Sequence, residues 1–163
     1  MPSELHDYLC FRAERWLKSR NCGVVFNDKF QAVTYSGEQP DALGFRTNCS
    51  ILIECKASRS DFLADRKKRF RKDPSLGVGD WRFYMCEPAV INVEDLPDGW
   101  GLLWVHPKKV EQVYGIPTNT MYESKKPFNG NKNDELRLMY SALRRISIRG
   151  HFDCIYEKLT TKE

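Results

Sequence analysis

Long apolar runs are missing from this 163-residue chain, and no hydrophobic stretch approaches the length that a membrane span needs. The first residues also lack the basic and then apolar segments of a secretory signal. We therefore expect a protein of the cytoplasm, with no membrane partner.

Paired cysteine motifs are missing too. The six cysteines form no CxxC pair, and none stands at zinc-ligand spacing from a histidine. Several lie inside apolar runs, where a free cysteine behaves as a small hydrophobic residue, so buried free thiols are expected. The three histidines (His6, His106 and His151) share no spacing and are expected to be surface or structural residues.

Glycine-rich phosphate-binding loops, internal repeats and low-complexity linkers are also absent. Neither GxxxxGK[ST] nor GxGxxG occurs, which argues against a nucleotide cofactor. The length predicts a single domain over residues 1–163, with its core at about 3–105 and an accessory strand and helix at about 106–163.

The chain does contain enough apolar residues for a core, at 41% hydrophobic and 12% aromatic. Hydrophobic periodicity predicts an α/β fold with a central mixed sheet flanked by helices. Helices are expected at 3–19, 58–72 and 134–148, the last burying Leu136, Met139, Leu143 and Ile146. Strands are expected at 22–26, 30–35, 50–55, 81–86, 101–105 and 110–114, with a further strand or turn at 41–45 and a mobile loop at 73–80.

The stretch SILIECKAS, residues 50–58, ends a buried strand with an acid and a base. Glu54 and Lys56 share one face because strand side chains alternate. Asp41, after Pro40, precedes Glu54 by thirteen residues, and a hairpin between the two segments would set the carboxylates side by side. Such carboxylates repel unless a cation lies between them, and oxygen ligands suit Mg²⁺ or Mn²⁺. A surface ion pair of Glu54 and Lys56, with Asp41 in a turn, is the alternative.

"PD" at Pro40-Asp41 followed by "ECK" at Glu54–Lys56 resembles the signature of the PD-(D/E)XK nuclease superfamily, and the expected αβββαβ order resembles its restriction-endonuclease-like core. The segments KASRSDFLADRKK, RFYMCEP and LPDGWGLLWV are similar to the MmcB-related DNA repair proteins and to short nuclease-like proteins of phages and bacteria. This likeness covers about residues 13–105, without the loop at 73–80.

The resemblance implies a divalent-metal-dependent nuclease that hydrolyses DNA phosphodiester bonds in DNA repair or phage-type DNA processing. It implies that Asp41 and Glu54 hold Mg²⁺ or Mn²⁺ with the backbone carbonyl of Cys55, and that Lys56 positions the attacking water. It also implies a further ligand on the first helix, for which Glu14 is the candidate and Glu4 and His6 are alternatives. An ion pair from Glu14 to Lys18 explains Glu14 equally well.

A basic run precedes Pro74 and could bind DNA phosphates or form a solvated helix face. Its members are Arg66, Lys67, Lys68, Arg69, Arg71 and Lys72. Asp61 is expected to belong to a helix cap, and Trp81, Phe83 and Tyr84 to pack in the core rather than stack on bases. The rival functions are a catalytically inactive nucleic-acid-binding protein and a protein of a mobile element that interacts with a host factor.

Overall fold

The computed structural model describes residues 3–160, so residues 1–2 and 161–163 of the predicted domain lie outside the described part. The strands are β1 (Val24–Asn27), β2 (Ala42–Phe45), β3 (Ser50–Cys55), β4 (Trp81–Cys86), β5 (Gly101–Val105) and β6 (Val110–Tyr114). The α-helices are α1 (Glu4–Ser19), α2 (Arg59–Asp65), α3 (Arg69–Lys72) and α4 (Lys132–Ile148). Within residues 3–160, no helix has both the length and the apolar character that a membrane crossing requires.

The six strands form one mixed sheet in the order β1-β2-β3-β4-β5-β6. The first three strands are antiparallel neighbours, β3, β4 and β5 are parallel, and β6 returns antiparallel to β5. Helices α2 and α3 lie in the connection between the parallel strands β3 and β4. The predicted α/β class is therefore confirmed, as is the αβββαβ order of elements.

A hydrophobic core lies on each face of the sheet. On one face, α1 buries Leu9, Ala13, Trp16 and Leu17 against alternate residues of the central strands. On the other face, Phe62 of α2 and Leu138 of α4 pack with a second set of alternate strand residues. This second set includes Leu43, Leu52, Tyr84 and Leu102. Both faces of β3 and β4 are covered, which explains why these strands are buried along their whole length.

The segment 30–35 is not a strand, so that prediction was wrong. Its polar groups bond within a loop: the Gln39 amide bonds both backbone groups of Ala32, and the Thr34 hydroxyl donates to the Glu38 carbonyl. The N–H groups of Tyr35 and Ser36 donate to the carboxylate of Asp134 in α4. With these partners already in place, the segment does not join the sheet, and β1 pairs with β2 instead.

The predicted helix at 58–72 is divided into α2 and α3. Ser58 caps α2, because its side chain accepts the N–H of Asp61, as expected. The chain then becomes extended at Lys68, and α3 begins. In a continuous helix Asp65 and Arg71 would point about 120° apart. The break instead lets the Arg71 guanidinium donate to Asp65 at 2.9 Å.

Helix α4 is turned differently from the prediction. Leu136, Leu143 and Ile146 are exposed and Met139 is half-buried, whereas Asp134, Glu135 and Leu138 are buried. The two acids hold the first turn, since Asp134 accepts the N–H groups of 35 and 36, and Glu135 accepts that of Gly79. These buried polar contacts turn the apolar stripe outward.

The segment 73–80, expected as a mobile loop, is anchored in the fold. Its last four residues, 77–80, are buried. The Arg82 guanidinium donates to the carbonyls of Pro74, Gly77 and Gly79. The side chains of neighbouring elements therefore bind the backbone of the segment.

Candidate active site

An open cleft of about 550 Å³ lies at the ends of β2 and β3. It is called the Glu54 cleft below. Its walls come from the start of α1, the segment before β2, the end of β3 and helix α2. Its charged lining residues are His6, Asp41, Glu54, Lys56, Asp61, Asp65 and Lys68.

Asp41 and Glu54 face each other because of the hairpin register. Ala42 pairs with Ile53, and the next position outward places Asp41 opposite Glu54. The Asp41 carboxylate accepts the backbone N–H of Cys55 at 2.8 Å, which fixes its position beside β3. Burial raises the pKa of the Glu54 carboxyl to about 7, and the negative charge of Asp41 adds to this increase. Cys55, whose carbonyl is a predicted ligand, also lines the cleft.

Lys56 lies at the cleft wall and is buried, rather than facing solvent as a surface ion pair would. Its Nζ is 3.1 Å from Glu54 Oε2 and 3.3 Å from Asp65 Oδ1. Burial by itself would lower the pKa of this amine, but the charges of Glu54 and Asp65 outweigh burial, so its pKa is raised. Lys56 therefore carries a charge held in place by two carboxylates.

Arg71 does not lie on the exposed basic face where it was predicted. Its side chain is 4% exposed, because the break between α2 and α3 turns it toward the acids. The guanidinium is 2.5 Å from Glu38 Oε1, 2.9 Å from Asp65 Oδ2 and 3.2 Å from Glu54 Oε1. The contact with Glu54 lacks hydrogen-bond geometry, so Glu54 Oε1 and Arg71 Nη2 are buried and have no hydrogen-bond partner in the described part of the chain.

Three residues of this charge network, Glu38, Asp65 and Arg71, lie outside the PD…ECK motif. Glu38 accepts the N–H of Val78 as well as Arg71. Asp65 accepts hydrogen bonds from Lys68, at 2.9 Å, and from the hydroxyl of Tyr84. Burial by itself would raise the pKa of Asp65, but the charges of Arg71 and Lys56, with the bond from Lys68, lower it. Nothing local in the sequence marks Glu38 or Asp65 as buried acids, because their partners come from distant segments.

His6, on the first turn of α1, contacts the predicted site. Its Nε2 is 3.3 Å from Asp41 Oδ1, and this hydrogen bond, with a smaller contribution from Cys10, raises the pKa of His6 to about 10. The ligand atoms of His6, Cys10 and Asp41 lie within 4.8 Å of one another. Because the raised pKa favours the protonated imidazole at neutral pH, His6 can ligate a metal ion only when it releases that proton.

Glu14 lies elsewhere, two turns further along α1. Its carboxylate bonds Lys18 at 2.8 Å and Asn27 at 3.0 Å, and it lines a separate depression with Asp28 and Lys29. The structure therefore does not bring Glu14 to Asp41 and Glu54, and the ion pair with Lys18 that was the alternative is present. Of the named first-helix candidates, His6 contacts Asp41.

The remaining predicted residues fall into three groups. The exposed members of the basic run are Arg66, Lys67, Lys68, Arg69 and Lys72. Trp81, Phe83 and Tyr84 are buried, as expected of core residues. All six cysteines are free, and five of them are buried.

Comparison with known proteins adds the fold alone. No family model matches the chain, and no curated protein matches it. The chain is similar to a solved structure described as the SPO1766 protein of unknown function from Silicibacter pomeroyi, with 24% identity and a TM-score of 0.61. The match covers 91% of this chain and 94% of that one. The single-domain α/β architecture is therefore shared with a protein of similar length.

Proposed function

We propose that this protein is a divalent-metal-dependent deoxyribonuclease of the PD-(D/E)XK type, acting in the cytoplasm in DNA repair or phage-type DNA processing. The observation that carries the proposal is the position of Asp41, directly before β2, opposite Glu54 on β3, in one cleft with Lys56. The likeness of residues 40–56 to the superfamily signature supports it.

The donor atoms of the Glu54 cleft fit a divalent cation. Asp41 and His6 bring an oxygen and a nitrogen within 3.3 Å of each other, and Glu54 and Cys55 line the same cleft. Asp41, Glu54 and the Cys55 carbonyl would hold Mg²⁺ or Mn²⁺, both of which take carboxylate and carbonyl oxygens, and His6 would join them on releasing its proton. When bound, such an ion supplies polarisation of the phosphate and a lowered pKa for a coordinated water.

Lys56 would supply the fixed positive charge. Glu54 and Asp65 hold its amine at the cleft wall, so it needs little reorganisation to oppose negative charge developing on the phosphate. Asp65 and Arg71 act through Lys56 and Glu54 and are positioning residues. The exposed basic residues of 66–72 remain predicted contacts for the DNA backbone.

The test is cleavage of labelled single-stranded, duplex and flapped DNA with Mn²⁺, with Mg²⁺ and with chelator. Asp41→Asn is the informative variant, because an amide oxygen can still accept the Cys55 N–H. We expect it to stay folded and to lose at least about a hundredfold in rate. Glu87→Gln is the matched control, an exposed acid directly after the neighbouring strand β4, and it should cleave like the parent.

A second readout follows the metal directly. Mn²⁺ titration by calorimetry should show weaker binding for Asp41→Asn and for His6→Gln, and unchanged binding for Glu87→Gln. A parent protein that cleaves none of the substrates with either metal would contradict the proposal.

One observation favours a non-catalytic alternative, a nucleic-acid-binding protein on the same fold. Arg71 and Lys56 both contact the Glu54 carboxylate, so this acid is already neutralised by protein cations. Such a protein would bind DNA without cleavage, and its affinity would be the same with Mn²⁺ and with chelator.

A further inference from the structure

The outward apolar stripe of α4 borders two grooves that share a tyrosine. One groove, of about 660 Å³, is lined by Val33, Gln39, Arg137, Tyr140, Arg144 and Arg145, among others. The other, of about 770 Å³, is lined by Tyr35, Leu136, Arg137 and Tyr140, among others. Because Arg137 and Tyr140 border both, the two form one surface, called the α4 groove below.

The α4 groove continues into the Glu54 cleft through one residue. Gln39 lines the first groove and also the cleft, and it stands two positions before Asp41. Its amide is held by both backbone groups of Ala32, so the junction is built into the fold. A linear polymer that lies in the groove would therefore be directed to Asp41 and Glu54.

The chemistry of the groove combines aromatic rings with positive charge. Tyr35 and Tyr140 are 71% and 62% exposed, and Arg69 lies over the Tyr35 ring at 5.9 Å. The first groove is lined by three arginines, and within residues 3–160 no carboxylate lines either groove. The acid beside them, Asp134, has a fully buried side chain and bonds backbone N–H groups. Asp134 is also 3.9 Å from the Arg137 guanidinium, whereas Arg144 and Arg145 form no ion pair with a described acid, so these two arginines are the cations that the surface offers.

This combination is complementary to an unpaired nucleic-acid strand. Exposed aromatic rings stack on bases, and arginines contact the phosphates. A duplex keeps its bases stacked inside the helix, so it cannot use the tyrosines. We propose that the α4 groove binds single-stranded DNA through Tyr35 and Tyr140 and leads it to the Glu54 cleft. The inference rests on the proposed function for its substrate and adds the strand state that the protein selects.

The test measures binding separately from cleavage, by fluorescence anisotropy of labelled single-stranded DNA in chelator. Tyr35→Leu and Tyr140→Leu keep apolar bulk and remove the ring. Each should raise the Kd roughly five- to a hundredfold, the range for one lost base stack. Tyr140→Phe should bind like the parent. Tyr114→Leu, an exposed tyrosine on β6, is the matched control and should change nothing.

Charge is tested by salt dependence. Arg144→Gln should reduce the slope of log K against log salt by about 0.7, the value for one single-strand phosphate contact. Duplex DNA should bind more weakly, with the same Kd for the parent and both leucine variants. Unchanged single-strand affinity in both leucine variants would overturn the inference. If the leucine variants instead change only the sedimentation coefficient of the protein, this face binds a protein partner or a second copy, and the inference is also overturned.

The two proposals fail in different ways. A parent that binds single strands through Tyr35 and Tyr140 but cleaves none with Mn²⁺ or Mg²⁺ supports the groove and contradicts the nuclease. A parent that cleaves, with leucine variants that bind and cleave equally well, contradicts the groove and leaves the nuclease standing.

Discussion

Arg71 connects the acids around the Glu54 cleft. One guanidinium contacts Glu38, Glu54 and Asp65, and its side chain is almost fully buried. Buried carboxylates of this kind repel one another and lose hydration, so they need a cation among them. At the scale of single residues, we therefore expect Arg71 to contribute to the free energy of unfolding even when no ligand is bound.

Replacing Arg71 should destabilise the protein strongly. Arg71→Ala leaves three acids short of a partner, and breaking a buried pair costs about 3–5 kcal/mol. Arg71→Lys keeps the positive charge but loses the several N–H donors of the guanidinium, so its free energy of unfolding should lie between those of Arg71→Ala and the parent. Urea denaturation measures the free energy of unfolding. Lys72→Ala, at the next and exposed position, should stay within about 0.5 kcal/mol of the parent, and equal losses for the two alanine variants would contradict this account.

At the scale of elements, Asp80 joins the sheet to α4. Its carboxylate accepts the N–H of Ser50 on one oxygen, and the N–H of Gly130 and the amine of Lys132 on the other. Burial alone would raise the pKa of Asp80, but the bonds from Lys132, Gly130 and Ser50 outweigh it, and the pKa is lowered. Both oxygens are used, so an amide cannot replace the carboxylate without opposing a donor.

Asp80→Asn should therefore cost about 1.5–3 kcal/mol of unfolding free energy near neutral pH, the range for hydrogen bonds to a charged group. Because the folded pKa is lowered, this stability is present above the unfolded value of about 3.9 and is lost as the pH falls through the folded pKa. The difference between parent and variant should shrink in that acidic window. Denaturation at several pH values measures this, with Asp153→Asn, at an exposed position, as the control. A constant difference would mean that the Asp80 charge contributes nothing.

At the scale of the whole molecule, the two cores enclose five of the six cysteines. Cys154, after α4, is exposed, while Cys10, Cys22, Cys49, Cys55 and Cys86 are buried. Burial raises the pKa of Cys22 to about 12 and that of Cys86 to about 11, which keeps these thiols protonated and slow to react.

Thiol reactivity should therefore report the integrity of the fold. With dithiobis-nitrobenzoate, one thiol should react at once in the folded protein and all six in denaturant, because five are shielded only by packing. Cys154→Ser should abolish the fast reaction and leave five slow thiols. More than one fast thiol in the parent would show that a core face is open under native conditions.

Much of the sheet could be predicted from the sequence. Residues 50–55, 81–86 and 101–105 are mostly apolar and contain β-branched or aromatic residues in each strand, so local preference and burial agree. The same holds for α1, where periodicity and the Ser3 cap mark one helix. The facing of Asp41 and Glu54 was also predictable, because it depends on a short hairpin whose register follows from its two strands.

Only the tertiary structure decided the break between α2 and α3, the burial of Arg71 and the outward turn of α4. Each depends on bonds between segments far apart in the chain: Arg71 with Glu38, or Asp134 with residues 35 and 36. The sequence patterns indicated a basic face and an apolar stripe, but a local pattern does not show which distant residue each side chain will contact. Hydrophobic periodicity determines which residues can be buried. Pairing of buried charges determines which of these residues are actually buried, because burying an unpaired charge costs more free energy than exposing a leucine does.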